Sequence, residues 1–406
     1  MYSLAAVVRL SPRLRPLYPY LKNAYTHATR AVAPVSLAAS QLRGGYLPHG
    51  VVRTMEEAAE STGGTCFVVR PSEVVTRTVP RGIPEQHPVF GENLTEMVPR
   101  VAVAELPGGR VLSPHSAVIT GADDLLQELS LYFGTNHARQ HPLFLHPFPG
   151  MPLEVGGRLG VLAMQGDTNY YHFMMDVLPR LGVLELCPEI AEPELWYVPE
   201  EHRFQRELLD LVGIPADKRI DSTRWRHVHA GCLVVPGPPA MTVVNPPWAV
   251  AYLRRRLLSK PDSRVPGYGI YVTRGSAANN RTVANEAAVV ALLEARGFEA
   301  VDPGGMTVAE QIDAFSRAST IVAPHGAALV NLVFASPGAS VVELFPAGCM
   351  VPDYWKLASG VPGLEYRYLT GRGEQRPRGR AQMIVSDIEV DLGALGLMLD
   401  DLGATG

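Results

Sequence analysis

His172 and Asp176 stand four residues apart in "NYYHFMMDVLPR", which places both side chains on one face of a helix. A carboxylate beside an imidazole orients the ring and raises its basicity, which suits a general base that takes a proton from a hydroxyl. The same pair is also compatible with an ordinary contact on a helix surface. Its aromatic neighbours Tyr170, Tyr171 and Phe173 offer apolar or sugar-stacking surface.

A second group lies about a hundred residues on. "YVTRGSAANNRT" ends an apolar run with Arg274 and supplies Arg281 soon after. Two guanidiniums at the end of a strand can hold a diphosphate by bidentate hydrogen bonds and neutralise it without a metal; one or both are also compatible with surface salt bridges. "IVAPHGAALVNLVFASPGASVVELFP" then reads as strand, tight turn, helix, strand. Small residues in the turn His325-Gly326-Ala327-Ala328 allow close approach to the backbone, and the helix they open presents unpaired N–H groups and a positive dipole end to an anion. Helix-to-sheet packing also favours small residues at such a turn. Asn331 faces either a ligand or solvent, and Glu343 is placed to accept hydrogen bonds from sugar or ribose hydroxyls. Thr307 and Glu310 have the spacing of a capping box, which gives that glutamate a structural role before any other.

These groups need elements to position them. Residues 64 to 120 are β-like, with "ELPGGRV" as a Gly-Gly hairpin turn. "DDLLQELSLYF" reads as a helix with an acidic first turn. "TNHARQHPLFLHPFPGMP" is broken by prolines, so His137, His141 and His146 read as loop histidines rather than ligands at fixed metal offsets. From there strands and helices alternate: "RLGVLAM", the helix carrying His172, "LWYVP", "HRFQRELLDLVGI", "HVHAGCLVVP" and "WAVAYLRRRLLSK". After the polar break "SKPDSRVPGYG" a second alternating run extends to "SVVELFP". Alternation of this kind implies layered parallel sheets, whose ligands sit at the carboxyl ends of the strands. The expected organisation is a basic leader over 1–55, an α/β domain over 56–262 on the acceptor side, and a Rossmann-like nucleotide-binding domain over 263–406.

With 406 residues, 47% of them hydrophobic, the chain is long enough to bury two cores. A net charge of −4 gives no basic face for nucleic acid. Cys66, Cys187, Cys232 and Cys349 form no CxxC pair, which argues against a zinc ribbon or a disulfide framework and for a reducing compartment. "SLAAVV" precedes its arginines, the reverse of a secretory signal, and no stretch is long and apolar enough to span a bilayer. The expected location is cytoplasmic, and Asn93 and Asn280 read as chance sequons. Residues 1–55 lack Asp and Glu but carry arginines among Leu, Tyr and Val, so they either lie on an anionic membrane surface or form a packed or poorly ordered leader.

Taken together, "NYYHFMMDVLPRL", "YVTRGSAANNRTVANE", "MTVAEQIDAFSRASTIVAPHGAALVNLVF" and "VVELFP" resemble glycosyltransferase family 61 in order and separation, across roughly residues 155 to 350. The resemblance implies a GT-B architecture, two Rossmann-like α/β domains facing across a cleft, here preceded by a β-rich hairpin region. It implies inverting transfer of a sugar from a nucleotide sugar, a UDP-sugar in known members, to a hydroxyl of a glycan or glycolipid acceptor, with no essential metal or other cofactor. His172 and Asp176 match the catalytic positions of the first motif, with Tyr171 and Arg180 on the acceptor side. Arg274, Arg281, Glu310, His325, Gly326, Ala327, Ala328, Asn331 and Glu343 match the donor side. The absence of the anchor that eukaryotic members carry implies a bacterial member at the inner face of the membrane, fitted to capsule or cell-surface polysaccharide synthesis. The competing readings are a metal-dependent hydrolase built on His172, Asp176 and the 137–146 histidines, and a nucleotide-sugar-binding protein without catalysis.

Overall fold

The computed structural model describes residues 18–42, 44–113, 116–130, 132, 137–239, 243–275, 282–373 and 386–405. It is a mixed α/β chain of two compact units, the first containing Leu17–Glu73 and Pro99–Met241, the second Val74–Val98 and Thr242–Gly406.

The first unit is built on one ten-stranded mixed sheet. Its parallel part consists of β1 (Leu153–Val161), β2 (Leu195–Val198), β3 (Arg219–Asp221) and β4 (His227–Pro236), in the order β3-β2-β1-β4. The direction of strand addition reverses between β1 and β4, and a crevice forms outside the carboxyl ends of strands at such a reversal. Val161, Tyr197, Leu233 and Val235 from these strands pack with Met55, Ala58 and Ala59 of the helix Met55–Thr62. Each such aliphatic side chain, fully buried, contributes on the order of 1.5–3 kcal/mol.

Two expectations fail in the antiparallel part, for local reasons. Gly108-Gly109 is no hairpin turn: Val101–Pro107 and Arg110–Leu112 both run antiparallel to β4, against its second and first halves. Gly108, at φ +62°, donates to Gly231, and Ala230 donates to the carbonyl of Gly109, so the pair kinks a strand that continues in one direction. "DDLLQELSLYF" forms no helix in its described part. Asp124–Leu126 is a strand, parallel to Gly50–Val52. Its acidic start is spent on turn geometry, with Asp123 in the left-handed region, paired to Arg110 and, at 2.7 Å, to His49.

In the leader, Tyr18–Gln41 is a helix followed by the strand Gly50–Val52 and the helix Met55–Thr62. Thr26, Thr29, Ala33, Ser36 and Ser40 are buried, and Ala33 packs with Leu143 and Phe144 of a 3-10 turn. The described part of the leader is thus a packed element, and Arg9, Arg13, Arg15 and Arg43 lie outside the described residues. No helix among the described residues is long and apolar enough to cross a membrane. None of the four cysteines is joined in a disulfide.

The second unit holds an all-parallel sheet of β5 (Gly269–Val272), β6 (Phe298–Val301), β7 (Thr320–Pro324), β8 (Ser340–Phe345) and β9 (Glu365–Thr370), in the order β6-β5-β7-β8-β9. Taken by chain order this is the 2-1-3-4-5 arrangement of doubly wound nucleotide-binding sheets, with its reversal between β5 and β7. A sixth strand, Arg81–Ile83, extends it beside β9. It comes from residues 74–98, which the sequence reading had kept with the first domain. The boundary also falls earlier than 262/263, because the helix Pro247–Leu257 belongs to the second unit. Arg254 on that helix donates to the carbonyls of Val333 and Ala335, at 2.5 and 2.7 Å. The core joins Tyr271, Val322, Val342 and Leu369 to Val289 and Leu293 of the helix Glu286–Glu294 and to Leu395 and Leu399 of the helix Leu392–Thr405.

Candidate active site

In the first unit, Asn169 caps the helix that follows β1, its side chain accepting from Tyr171 N–H at 2.9 Å. The helix starts regularly at Tyr170–His172, widens to a π-helical turn over Phe173–Val177, and continues as Pro179–Glu185. The bond from Leu178 N–H back to the Phe173 carbonyl, 3.1 Å, marks the extra residue. π-turns inside α-helices are frequent at functional sites, where the inserted residue re-aims side chains. Here the turn contains Asp176. Nδ1 of His172 lies 2.7 Å from Oδ2 of Asp176, which is a buried residue. Tyr171 is buried edge-on to the His172 ring. Phe173 is core, and it packs with Tyr170 against Phe204 rather than forming an open stacking surface.

Arg180, 3% exposed, ties the crevice together. Its Nε donates to the Pro236 carbonyl at 2.7 Å and its Nη1 to the Leu162 carbonyl at 2.9 Å. Those carbonyls end β4 and follow β1, the two strands between which the sheet order reverses. The guanidinium is therefore a brace at the base of the site, and burial pulls it down to about 10 against the opposing pull of Asp167 and Asp176.

Asp167 was not legible as a site residue; the only sequence signal is a lone carboxylate in the turn after a strand. Its Oδ2 accepts from Met164 N–H at 3.0 Å, and its own carbonyl accepts from Gln205. Burial pushes its carboxyl up to about 7, with Met164, Arg180 and His172 opposing that rise. An acid whose folded pKa lies above its unfolded value near 3.8 holds its proton more tightly when folded. The ionisation therefore costs stability progressively from about pH 4 to 7, and the cost is fully present above that. Accordingly, the melting temperature of Asp167→Asn relative to wild type should rise between pH 4 and 8. A difference that stays flat, followed by calorimetry across that range, would mean that Asp167 ionises freely.

In the second unit, Arg274 follows β5 and His325 follows β7, so both sit where that sheet order reverses. Nη1 of Arg274 donates to the His325 carbonyl at 2.6 Å, which bridges the two strand ends. Nε of Arg274 is buried without a hydrogen-bond partner, and burial lowers the group from the ordinary arginine range. A Cβ on Gly326 would stand 2.7 Å from Nη1, so any larger residue here would push the end of the Arg274 side chain aside; the extended backbone angle itself does not call for glycine. Ala327–Phe334 is a 3-10 helix rather than an α-helix. Its first internal bond runs from Leu329 N–H to the Gly326 carbonyl, leaving the N–H groups of Ala327 and Ala328 ahead of the hydrogen-bonded ladder.

Glu343 is fully buried in β8. One carboxylate oxygen lies 2.5 Å from Nδ1 of His325 and the other accepts from the Tyr366 hydroxyl. The His325 ring stacks on Phe345 at 5.3 Å and tilts against Tyr354. Glu343 thus positions His325 from inside the sheet and is not exposed to a ribose. Tyr366, its other partner, lies on the next strand and carries no motif of its own. Asn331 is fully buried and donates to Gln311 at 2.8 Å, and Glu310 closes the capping box with Thr307 at 2.7 Å. Both serve packing and capping where the sequence suggested ligand contact. Arg281 and Asn280 lie outside the described residues. His137 and His141 each cap a 3-10 turn through Nδ1, which accounts for two of the loop histidines. Among the described residues no group of three or more His, Cys, Asp or Glu is placed to hold a metal.

Comparison with known proteins places this geometry in a context. Residues 170–342, from the helix of His172 to the strand of Glu343, match the family Glycosyltransferase 61. Human protein O-linked-mannose beta-1,4-N-acetylglucosaminyltransferase 2 is 35% identical over 109 residues, 25% of this chain and 18% of that protein. The protein of the same name from Xenopus tropicalis is 34% identical over 105 residues, 24% and 18% of the two chains, and that from Tetraodon nigroviridis 30% over 111 residues, 26% and 19%. The matched stretch thus spans under a fifth of each of these relatives. These findings support the glycosyltransferase 61 family, and with it a glycosyltransferase. The named relatives are animal proteins and give the expectation of a bacterial member no support.

Proposed function

We infer that this chain transfers a sugar, with inversion, from a nucleotide sugar to a hydroxyl of a glycan acceptor. The observation that carries the reading is the assembly of Arg274, His325 and Glu343 at the reversal of a doubly wound sheet, with Arg274 and His325 inside the stretch that matches the family and Glu343 directly after its end. A diphosphate suits it: Arg274 offers an unpartnered N–H and a positive charge, and the turn at Gly326-Ala327-Ala328 offers backbone N–H groups. Arg281 is assigned a second phosphate contact. Acceptor binding falls to the first unit, around Tyr171 and the Arg180 brace, and the GT-B organisation expected from the sequence belongs to this reading.

One displacement achieves the transfer. The acceptor oxygen forms a bond to the anomeric carbon as the bond from that carbon to the diphosphate oxygen breaks. The acceptor proton passes to Nε2 of His172, whose Nδ1–H is held by Asp176, and the electron pair leaves with the nucleoside diphosphate. Charge develops on that leaving group, where Arg274 and the turn stabilise it without a metal. UDP-N-acetylglucosamine is the first donor to try, because the named relatives are N-acetylglucosaminyltransferases that act on O-linked mannose. Cytoplasmic location, contact of residues 1–55 with an anionic membrane, and a place in cell-surface polysaccharide synthesis are parts of the same proposal.

The test is a thermal-shift panel of nucleotide sugars in excess EDTA. A ligand at a hundred times its Kd stabilises the native state by about 2.7 kcal/mol, enough to move the melting temperature by degrees. One nucleotide sugar and its free nucleoside diphosphate should raise it. A protein that responds to neither, with or without divalent cations, does not bind this class of donor.

A further inference from the structure

A second polar cavity of about 610 Å³ lies in the second unit, lined among others by Thr76, Arg77, Thr78, Arg81, Tyr366 and Arg367. It borders β9 and the added strand Arg81–Ile83. The charges at this wall are unusual: Arg77 lines the cavity together with Glu365, while Lys356 and Glu96 are not on its lining. Arg77 and Lys356, 5% and 4% exposed, share one carboxylate: Glu96 lies 3.2 Å from Nη1 of Arg77 and 2.9 Å from Nζ of Lys356. Two buried cations to one anion leave a positive charge uncompensated, and buried charges are ordinarily matched because an unmatched one costs several kcal/mol of lost hydration. Nη2 of Arg77 is spent on the Val244 carbonyl, and its Nε is buried with no hydrogen-bond partner.

A third cation adds to these. Arg81 stands directly opposite Arg367 in the parallel register of the two strands, an arrangement of like charges that destabilises a sheet unless something neutralises it. Arg367 is neutralised by Glu365 and Asp401, at 2.7 and 2.5 Å. Arg81 has no carboxylate partner among the described residues, is exposed, and lines both this cavity and an adjoining one of about 440 Å³. Thr76 and Thr78 are also on the wall. A buried guanidinium whose Nε–H has no partner, an exposed one and two threonines around one hollow form a receptor for a compact oxyanion.

We propose that this cavity is a second ligand site, binding a phosphate or carboxylate group on a small molecule, separate from the donor site around Arg274. The site is wired to the other: Tyr366, on the cavity wall, bonds to Glu343, which holds His325. Occupancy of the cavity therefore bears on a residue of the donor site through two hydrogen bonds.

Calorimetric titration of the full chain with inorganic phosphate, a sugar phosphate and glucuronate, each in saturating UDP to block the donor site, tests this. Saturable binding of at least one is expected. It should weaken roughly 10- to 100-fold in Arg81→Gln, a change at an exposed side chain, and persist in Arg274→Ala titrated without UDP. The preferred ligand then tells whether the source is free phosphate, a phosphorylated sugar or an acidic sugar. The proposal is overturned if none of the three binds saturably, or if binding is the same in Arg81→Gln as in wild type. Binding lost in Arg274→Ala and kept in Arg81→Gln overturns it as well, because the anion then sits in the donor site.

Discussion

Asp176→Asn should reduce turnover by roughly 10²- to 10⁴-fold, the usual size of a general-base contribution, while donor affinity stays near that of wild type. The substitution keeps the shape of the π-turn, since amide and carboxylate are isosteric, but an amide cannot hold the Nδ1–H of His172 with the same charge-assisted bond. The imidazole then loses the partner that fixes its tautomer and ring orientation. His172→Ala removes the base itself and should cost at least as much if the proton passes to the ring. If the aspartate takes the proton directly, His172→Ala is the milder of the two. Single-turnover rates under saturating donor and acceptor separate these cases, and wild-type rates in both variants would reduce the pair to a helix contact. Because donor binding is assigned to the second unit, a variant that loses donor affinity along with turnover would point to a damaged fold instead.

What the sequence made legible follows the physics of each element. "HVHAGCLVVP" forms a strand over those same ten residues, His227–Pro236, because a mostly apolar run flanked on both sides by neighbours in the sheet has little choice. The second alternating run came through in order, and in type apart from the 3-10 helix after His325, with Gly297 following its first helix at φ +82° and Thr307–Glu310 capping the next. Misreadings came where short-range signals have two solutions. Gly-Gly can reverse a strand or kink one, and only the partner strand, more than a hundred residues away, decides. Two acidic residues before an apolar run can start a helix or close a turn, and Arg110 decides for the turn by pairing with Asp123. The Arg81–Ile83 strand was beyond local reasoning altogether, since its partner β9 lies nearly three hundred residues downstream.

The same distinction governs the site. His172 with Asp176, and Arg274 with the His325 turn, were legible because strand ends and i,i+4 spacing are local facts. Asp167 and Tyr366 were not, because their relevance comes from what surrounds them after folding: burial for one, the buried Glu343 for the other. Asn331 and Glu343 show the converse. A polar residue near a candidate ligand turn invites a binding role, yet both are fully buried and serve to hold other side chains in place.

Arg274→Ala is the second variant expected to have a large effect, and it acts on binding and rate together. In the ground state it removes a charge-assisted contact to the diphosphate, worth about 1.5–3 kcal/mol, which weakens nucleoside diphosphate binding by roughly 10- to 150-fold. In the transition state the leaving diphosphate carries more charge than it does in the bound sugar nucleotide, so the rate constant should fall as well. A purely structural role for Arg274 makes a different forecast. Its Nη1 braces the His325 carbonyl, so loss of that bond alone would loosen the turn and lower stability without a selective effect on the charged product. Arg274→Lys separates the two, because a lysine keeps the charge but not the forked geometry. Partial recovery of diphosphate affinity in Arg274→Lys over Arg274→Ala, measured by calorimetry at equal thermal stability, assigns the residue to the leaving group. Equal affinity for UDP in wild type and both variants would remove Arg274 from the donor site and leave the backbone N–H groups after Gly326 to hold the phosphates alone.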